Sequence, residues 1–285
     1  MTDEQTLSDA DQQLIQSLLT NGIKLPAQPK VLLEIEALTS QPRINNKAVA
    51  SLISSDVGLS AAVFKIANSP AMGLRRRVDS IESAITVLGL KQVVNLLKCT
   101  ALRKAIGDGA AVYEKFWERS SDIAKLAALI AQRRVSVCNI FPDQAYLAGL
   151  FCECGVPLLM QRFPEYGQSF RLAGAGGWPD MGEEDQRFHT DHCMAGYLVS
   201  RTWHLPEFIS LSIRYHHDIA NVNLDHRAMV AMLQMATHLY NLRYEFPDDK
   251  EWGASRATVL MELGLDEEGL REFEEEILDA FGSDT

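Results

Sequence analysis

The 285-residue sequence has no apolar run of the roughly 18–20 residues that a membrane-spanning helix needs. Its first segment, Met1 to Ala10, is acidic and polar. A secretory signal peptide would instead begin with a basic region followed by an apolar one. These two absences predict a cytoplasmic protein that makes no use of a membrane.

Basic residues are scarce. The sequence has 27 Lys and Arg against 38 Asp and Glu, a formal net charge of −11. Binding to nucleic-acid backbones is driven mainly by Lys and Arg, so a nucleic-acid partner is not expected. The densest basic run, Arg75-Arg76-Arg77, has no interleaved aromatic residues. Its ordinary interpretation is a solvated loop, and the alternative is a contact for a phosphate-bearing ligand or an acidic partner.

Cysteines are also few, and their number is odd. The five are Cys99, Cys138, Cys152, Cys154 and Cys193, and most lie in apolar stretches with helical spacing. Reduced, buried thiols that pack as small apolar groups are therefore expected, rather than a disulfide framework.

Strand patterns are missing, whereas helical periodicity recurs along nearly the whole chain. The pattern predicts a compact all-α protein. The segment Gly107-Asp108-Gly109 is the best candidate for a boundary between two packed lobes. The acidic segment near the C-terminus predicts an amphipathic helix that docks through Leu265, Leu270, Phe273, Ile277 and Phe281.

Several short strings occur in a particular order between Leu25 and His217, over roughly two thirds of the chain. They are Leu25-Pro26, the segment from Ala50 to Asp56, Ala67-Asn68-Ser69, the segment from Ser80 to Ile85, Trp117-Glu118-Arg119-Ser120, Ala148-Gly149-Leu150-Phe151, Trp203-His204-Leu205-Pro206 and His216-His217. Each string alone is weak, but their sequence resembles that of the HDOD family, whose scaffold is related to HD phosphohydrolases.

The resemblance implies an all-α fold in which an N-terminal helical bundle packs on an HD-like helical lobe. It also implies a role in bacterial signal transduction. On this basis residues 1–24 are expected to form an N-terminal helix. Residues 25–217 form the HDOD domain, divided into a bundle over 25–108 and the HD-like lobe over 109–217. Residues 218–285 add C-terminal helices that complete this lobe.

The resemblance also locates a metal site that this sequence has altered. An HD phosphohydrolase uses an upstream His, an adjacent His-Asp pair and a downstream Asp. The matching positions here hold Arg119, Cys152 with Glu153, and Thr237. Arginine stays protonated and would repel a divalent ion about 4 Å away by several kcal/mol. The sequence therefore predicts no metal, no cofactor and no hydrolase activity.

A buried guanidinium and a buried carboxylate are each costly alone, so Arg119 and Glu153 are expected to pair in place of the metal. Thr237 would then be hydrogen-bonded nearby. On this hypothesis Arg119→Ala would cost about 3–5 kcal/mol, because Glu153 would be left unpaired.

A different metal site stays open as an alternative. On a regular helix, Cys152 and Cys154 point about 200° apart and cannot share one ion unless the helix is broken between them. A mixed set is also conceivable: Cys152 and Glu153 together with His192 and either His216 or His217. Against it stands the ordinary interpretation of buried structural cysteines and capping histidines.

Two histidine motifs have both an ordinary and a functional interpretation. His216-His217 would suit the C-terminus of a helix, where donors meet free carbonyls. Asp191-His192 would suit a helix start with Asp191 as its cap. Together they could instead form a polar pocket for an anion or a nucleotide fragment.

The leading functional hypothesis is a non-catalytic signalling module that binds partner signalling proteins. One alternative is a metal-dependent phosphohydrolase with altered ligands. The other is a sensor that holds a nucleotide-like small molecule or another anion in the vestigial pocket.

Overall fold

The computed structural model describes residues 9–20, 22–74, 76–107, 111–169, 179–246 and 250–283. Within these ranges every regular element is a helix, and no strand is found, which confirms the all-α prediction. In chain order the helices are α1 Asp9–Thr20, α2 Lys30–Thr39, α3 Asn46–Ser54, α4 Val57–Ala67, α5 Ile81–Leu88, α6 Leu90–Ile106, α7 Ala111–Cys138, α8 Pro142–Phe151, α9 Gly155–Arg162, α10 Tyr166–Ser169, α11 Met181–Phe188, α12 His192–Thr202, α13 Glu207–Tyr215, α14 Leu224–Arg243, α15 Lys250–Leu263 and α16 Glu267–Gly282, with a 3-10 turn at Pro70–Met72.

Three short helices of the N-terminal lobe, α3, α4 and α5, begin where polar side chains satisfy free backbone N–H groups. Asn45 accepts a hydrogen bond from Ala48 N, Asp56 from Leu59 N and Ser80 from Ser83 N. Each cap stabilises a helix start by roughly 1 kcal/mol. These caps explain why a nearly continuous apolar pattern is divided into short helices.

The second lobe, α7 to α16, is organised around the long helix α7. Helix α8 approaches it closely, because a Cβ at Gly149 would lie only 2.9 Å from Ala124 Cα. The acidic helix α16 docks through buried Leu270, Phe273, Ile277 and Phe281, which confirms the docking predicted from its apolar stripe.

The two lobes share one apolar core, which runs from Leu18 in α1 to Ile213 in α13. The boundary predicted near Gly107 to Gly109 falls at the end of α6, but positions 108 and 109 lie outside the described residues. The division into separate segments therefore stays a prediction. In the described part of the chain, no single helix is both long and apolar enough to cross a membrane, although two bent helix pairs pass by length and composition.

Polar contacts also join the lobes at the turn between α12 and α13. Trp203 Nε1 donates to Pro26 O at 2.7 Å, and Gln28 Nε2 donates to Trp203 O at 3.0 Å. Lys98, which is buried, donates to His204 O at 2.9 Å and pairs with Glu36 at 2.6 Å. This turn therefore holds the α12–α13 hairpin against the N-terminal lobe.

Two glycines allow α9 and α12 to cross almost backbone to backbone. A Cβ at Gly155 would overlap the carbonyl oxygen of His192, and a Cβ at Gly196 would lie 3.0 Å from Gly155 N. No larger residue fits at Gly155 unless the helices separate. The crossing fixes the start of α12, including His192, against the turn that precedes α9.

We expect Gly155→Ala to lower the free energy of unfolding by about 3 kcal/mol or more, because the added methyl group overlaps backbone atoms. The matched control is Gly253→Ala in α15, where a Cβ meets nothing within 4 Å. This control should gain about 0.5–1 kcal/mol from helix propensity. Urea unfolding of both variants measures the difference, and equal stabilities would contradict the close crossing.

Candidate metal centre

Three separate segments bring a carboxylate and three imidazoles together in the interior of the second lobe. Glu153 lies in the turn between α8 and α9, His192 begins α12, and His216 and His217 follow α13. Glu153 Oε2 is 3.2 Å from His192 Nε2. Glu153 Oε1 is 3.4 Å from His216 Nε2 and 3.8 Å from His217 Nε2.

The imidazoles also converge on one another through the same ring atom. His192 Nε2 lies 3.1 Å from His217 Nε2 and 3.4 Å from His216 Nε2. Within the described structure, Glu153 Oε2 is buried and makes no hydrogen bond, although His192 Nε2 is near. A buried carboxylate oxygen without a donor is costly unless something else neutralises it.

The outer nitrogen of each imidazole has a firm partner. His192 Nδ1 lies 2.6 Å from Glu184, His217 Nδ1 lies 2.6 Å from Glu251, and His216 Nδ1 lies 2.9 Å from Ile213 O. Carboxylate and carbonyl acceptors place the ring proton on Nδ1, which leaves the Nε2 lone pairs directed inwards. Metal-binding histidines are oriented in this way.

The donor spacings fit a tetrahedral metal ion. Bonds of about 2.0–2.2 Å to nitrogen and oxygen donors place those donors roughly 3.3–3.6 Å apart in a tetrahedron. Glu153 Oε2 and the Nε2 atoms of His216 and His217 lie 3.1–3.4 Å from His192 Nε2, and the other carboxylate oxygen, Glu153 Oε1, lies 3.4 and 3.8 Å from His216 and His217. Imidazoles with a carboxylate suit zinc or another first-row divalent ion. Glu153, His192, His216 and His217 are therefore the residues that would hold it.

The buried Glu153 carboxylate also needs a positive charge close to it. Burial alone would raise the pKa of Glu153, but the neighbouring His192 and His216 outweigh it and lower that pKa. Burial would lower the pKa of both imidazoles, yet acidic neighbours, Cys193 and Glu153, raise it well above the ordinary value. Protonated imidazoles can supply the missing charge, and a divalent ion bound to neutral imidazoles can supply it as well.

Glu184 is the most deeply buried acid around the cluster. It is fully buried, accepts a hydrogen bond from Tyr166 Oη, and lies 3.1 Å from His192 N and 2.6 Å from His192 Nδ1. Asp191 caps α12 by accepting from Met194 N at 2.6 Å. Glu184 and Asp191 together fix the position of His192 at the first turn of the helix.

The structure brings together part of the predicted polar pocket. His192, His216 and His217 converge, whereas Asp191 is a helix cap, as its ordinary interpretation predicted. The histidine cluster is closed rather than open: His192 is 0% exposed and His216 is 5% exposed. The interpretation of His216-His217 as mere helix-end donors is therefore incomplete.

The predicted pairing of Arg119 with Glu153 is wrong. The Arg119 guanidinium lies 5.1 Å from the ring centroid of Phe246 and 5.9 Å from that of Tyr240, while Glu153 faces imidazoles. Position in the HD pattern indicates which helix carries each residue, but not the direction of a long side chain. Thr237 is half-buried on α14, and its predicted hydrogen bond stays a prediction.

The cysteine prediction needs one correction. The helix expected across Cys152 and Cys154 is broken, since residues 152–154 form a turn between α8 and α9. Cys152 Sγ donates to Gly149 O at 3.3 Å, and burial raises the pKa of this thiol to about 12. Cys193, not Cys152, is the thiol grouped with the histidines.

The basic run is only partly described. Arg75 lies outside the described residues, and Arg76 and Arg77 are exposed. Their loop is held by Asn68, whose side chain both donates to Val78 O and accepts from Val78 N. This arrangement agrees with a solvated loop, and a partner contact there stays a prediction.

Sequence reasoning missed four residues of the cluster: Tyr166, Glu184, Cys193 and Glu251. Glu184 and Glu251 reach the histidines from α11 and α15. Neither acid stands in a recognisable motif with the histidine that it orients. Only the fold brings them together, so the sequence contained no signal for them.

Comparison with known proteins gives consistent results. The family model described as "HDOD domain" matches residues 25–219. An HDOD domain protein of unknown function from Geobacter sulfurreducens is similar in structure, with a TM-score of 0.61, 26% identity and 97% of each chain covered. A Shewanella amazonensis protein, provisionally described as a phosphohydrolase, has a TM-score of 0.68 and 23% identity, and covers 98% of this chain and 97% of its own.

Two longer proteins also match. A Marinobacter aquaeolei protein, provisionally described as a signal transduction protein, has a TM-score of 0.63 and 22% identity over 98% of this chain and 65% of its own. An uncharacterised protein of Treponema pallidum is 22% identical over 74% of this chain, and the match spans only 41% of that relative. At such identities the structural likenesses show the shared HD-like fold.

The corrected contacts change the expected effect of Arg119→Ala. Its loss removes ring contacts and the hydrogen bond to Tyr240 at a half-buried position, so we expect a cost of about 1–2 kcal/mol rather than 3–5. Glu184→Ala should cost about 3–5 kcal/mol, because it removes the buried carboxylate that Tyr166 and His192 contact. Denaturant unfolding compares the two variants, and a larger loss in Arg119→Ala than in Glu184→Ala would contradict this ranking.

Proposed function

The chain belongs to the HDOD domain family, and from that premise we propose that it is a non-catalytic signalling module with a structural metal ion in its second lobe. The observation that carries the proposal is the convergence of Glu153, His192, His216 and His217 on one buried point. It replaces the prediction of no metal, which considered only the positions of Arg119, Cys152, Glu153 and Thr237.

The number of donors supports a structural rather than a catalytic ion. Structural zinc sites are closed by four protein ligands, whereas catalytic sites keep a position for water or substrate. Here the carboxylate of Glu153 fills the fourth position beside three imidazoles. Glu153 is only 5% exposed, so a phosphate ester has no direct approach to the ion.

Under this proposal the ion has a purely structural role. The ion would neutralise Glu153 and tie α12 and α13 to the turn before α9. Glu184 and Glu251 would hold the rings of His192 and His217 in the orientation that binding requires. Metal binding would then contribute directly to the stability of the second lobe.

The signalling part of the proposal rests on family membership and on the relatives. The Marinobacter protein is provisionally described as a signal transduction protein, and it extends beyond the matched region. Among the described residues the histidine cluster is closed to solvent, and we propose that the protein acts through contacts with partner signalling proteins. Affinity capture from the native host, with the metal-loaded protein as bait, identifies those partners.

One observation favours an alternative function. Imidazoles and a carboxylate are the donors of metal-dependent hydrolases, and the Shewanella protein is provisionally described as one. Under that alternative Glu153 would leave the ion to admit a substrate. A nucleotide-like ligand at the histidines would need the same opening, and a thermal-shift series with nucleotides tests it.

We expect one divalent ion per chain after loading with zinc, and a large loss of binding in Glu153→Gln and His217→Ala. Free metal at about 100 times its dissociation constant should add roughly 2.7 kcal/mol to the stability of the native protein. Mass-spectrometric metal analysis and thermal unfolding with and without a chelator measure both. His226→Ala, a histidine outside the cluster, is the control and should bind as the native protein does.

Zinc- or manganese-loaded protein should not hydrolyse a chromogenic phosphodiester faster than Glu153→Gln does, because the four ligands leave no position for water. Steady-state assays with both proteins at equal concentration check this. Turnover that requires Glu153 would support the hydrolase alternative and refute the non-catalytic assignment.

A further inference from the structure

Cys193 differs from Cys138 and Cys152 in what its thiol contacts. Cys138 and Cys152 donate to backbone carbonyls, Glu262 O and Gly149 O. Cys193 Sγ instead lies 3.4 Å from Met181 Sδ and 3.5 Å from His192 Nε2. It is completely buried, so its surroundings are these sulfur and nitrogen atoms rather than water.

We propose that Cys193 Sγ, Met181 Sδ and His192 Nε2 form a second, soft metal site that binds copper(I). Thiolate and thioether sulfur are soft donors and select copper(I) over divalent ions that prefer oxygen. An imidazole nitrogen completes a three-donor set. The site shares His192 with the four-donor centre but uses neither Glu153 nor His217.

The spacings suit such an ion. Metal bonds of about 2.3 Å to sulfur and 2.0 Å to nitrogen place a sulfur and a nitrogen about 3.5–3.7 Å apart. Cys193 Sγ and His192 Nε2 are 3.5 Å apart. The two sulfurs, at 3.4 Å, are a few tenths of an ångström closer than an ion between them needs. Met181 is half-buried at the start of α11, and its flexible side chain can supply that adjustment.

His216 does not belong to the soft set. Its Nδ1 is 3.8 Å from Cys193 Sγ, but the same atom lies 2.9 Å from Ile213 O. A ring nitrogen that donates its proton to a carbonyl has no lone pair for a metal. The proposed soft site therefore consists of Cys193 Sγ and the two donors that it contacts, Met181 Sδ and His192 Nε2.

The two metal sites exclude each other. Both ions would need the single lone pair of His192 Nε2, so the protein could hold only one of them at a time. Copper(I) should therefore displace a divalent ion from the protein. The ion bound at His192 would then depend on which metal is available. This goes beyond the structural role proposed above.

The test is a competition titration of the full chain with copper(I), under anaerobic reducing conditions, against a chromogenic copper(I) chelator. We expect Cys193→Ser and Met181→Leu to weaken copper(I) binding by at least about 10–100-fold, since loss of a direct ligand should cost no less than loss of a supporting residue. His217→Ala should keep copper(I) and lose zinc. Cys193→Ser should keep zinc and lose copper(I).

Two variants separate the loss of a metal ligand from other effects of substitution. Cys152→Ser removes a buried thiol outside the site and should leave copper(I) binding unchanged. Met181→Leu conserves volume at a half-buried position, so it separates lost ligation from lost folding. Undiminished copper(I) binding in Cys193→Ser and Met181→Leu, or its loss in His217→Ala, would overturn the proposal. Copper(I) binding without zinc binding would instead refute only the four-donor centre.

Discussion

A carboxylate buried among imidazoles is the constraint on which the second lobe depends. Glu153 is 5% exposed, and burying an unpaired carboxylate costs several kcal/mol, so positive charge must accompany it. That charge comes either from protonated imidazoles or from an ion bound to neutral ones. In both states His192, His216 and His217 must stay near Glu153, and the helices that carry them are held together as a consequence.

The fold meets this constraint through close helix packing. Because Gly155 and Gly196 carry no side chain, α9 and α12 approach until Glu153 and His192 are 3.2 Å apart. The α12–α13 hairpin then extends from the histidines to Trp203 and His204, which contact the N-terminal lobe. The α12–α13 hairpin therefore connects the histidine cluster to the contact between the lobes. Disorder at the histidines would loosen one end of this hairpin and weaken that contact.

The sequence was sufficient for the helical fold, because periodicity and capping residues such as Asn45 and Ser80 act locally. It also named Glu153, His192, His216 and His217, as parts of an alternative metal set and of a polar pocket, although it placed Cys152 among them. It failed for Arg119, whose long side chain turns to Tyr240 and Phe246. It also failed for Glu184, on the helix before His192, and for Glu251, which is 34 residues from His217. Local patterns specify helices and their apolar faces, whereas a buried polar cluster depends on how several helices meet.

The HD-like position that holds Arg119 and the histidine cluster differ in what they offer a metal ion. On the α7 side, a cation now packs on aromatic rings, where it cannot ligate a metal. On the α12–α13 side, a Glu153 oxygen and the Nε2 atoms of His216 and His217 all lie 3.1–3.4 Å from His192 Nε2. A hydrolytic ion needs a ligand position free for water, and a complete sphere removes it. Under the proposal of a structural ion, the histidine cluster would therefore serve stability or sensing rather than hydrolysis.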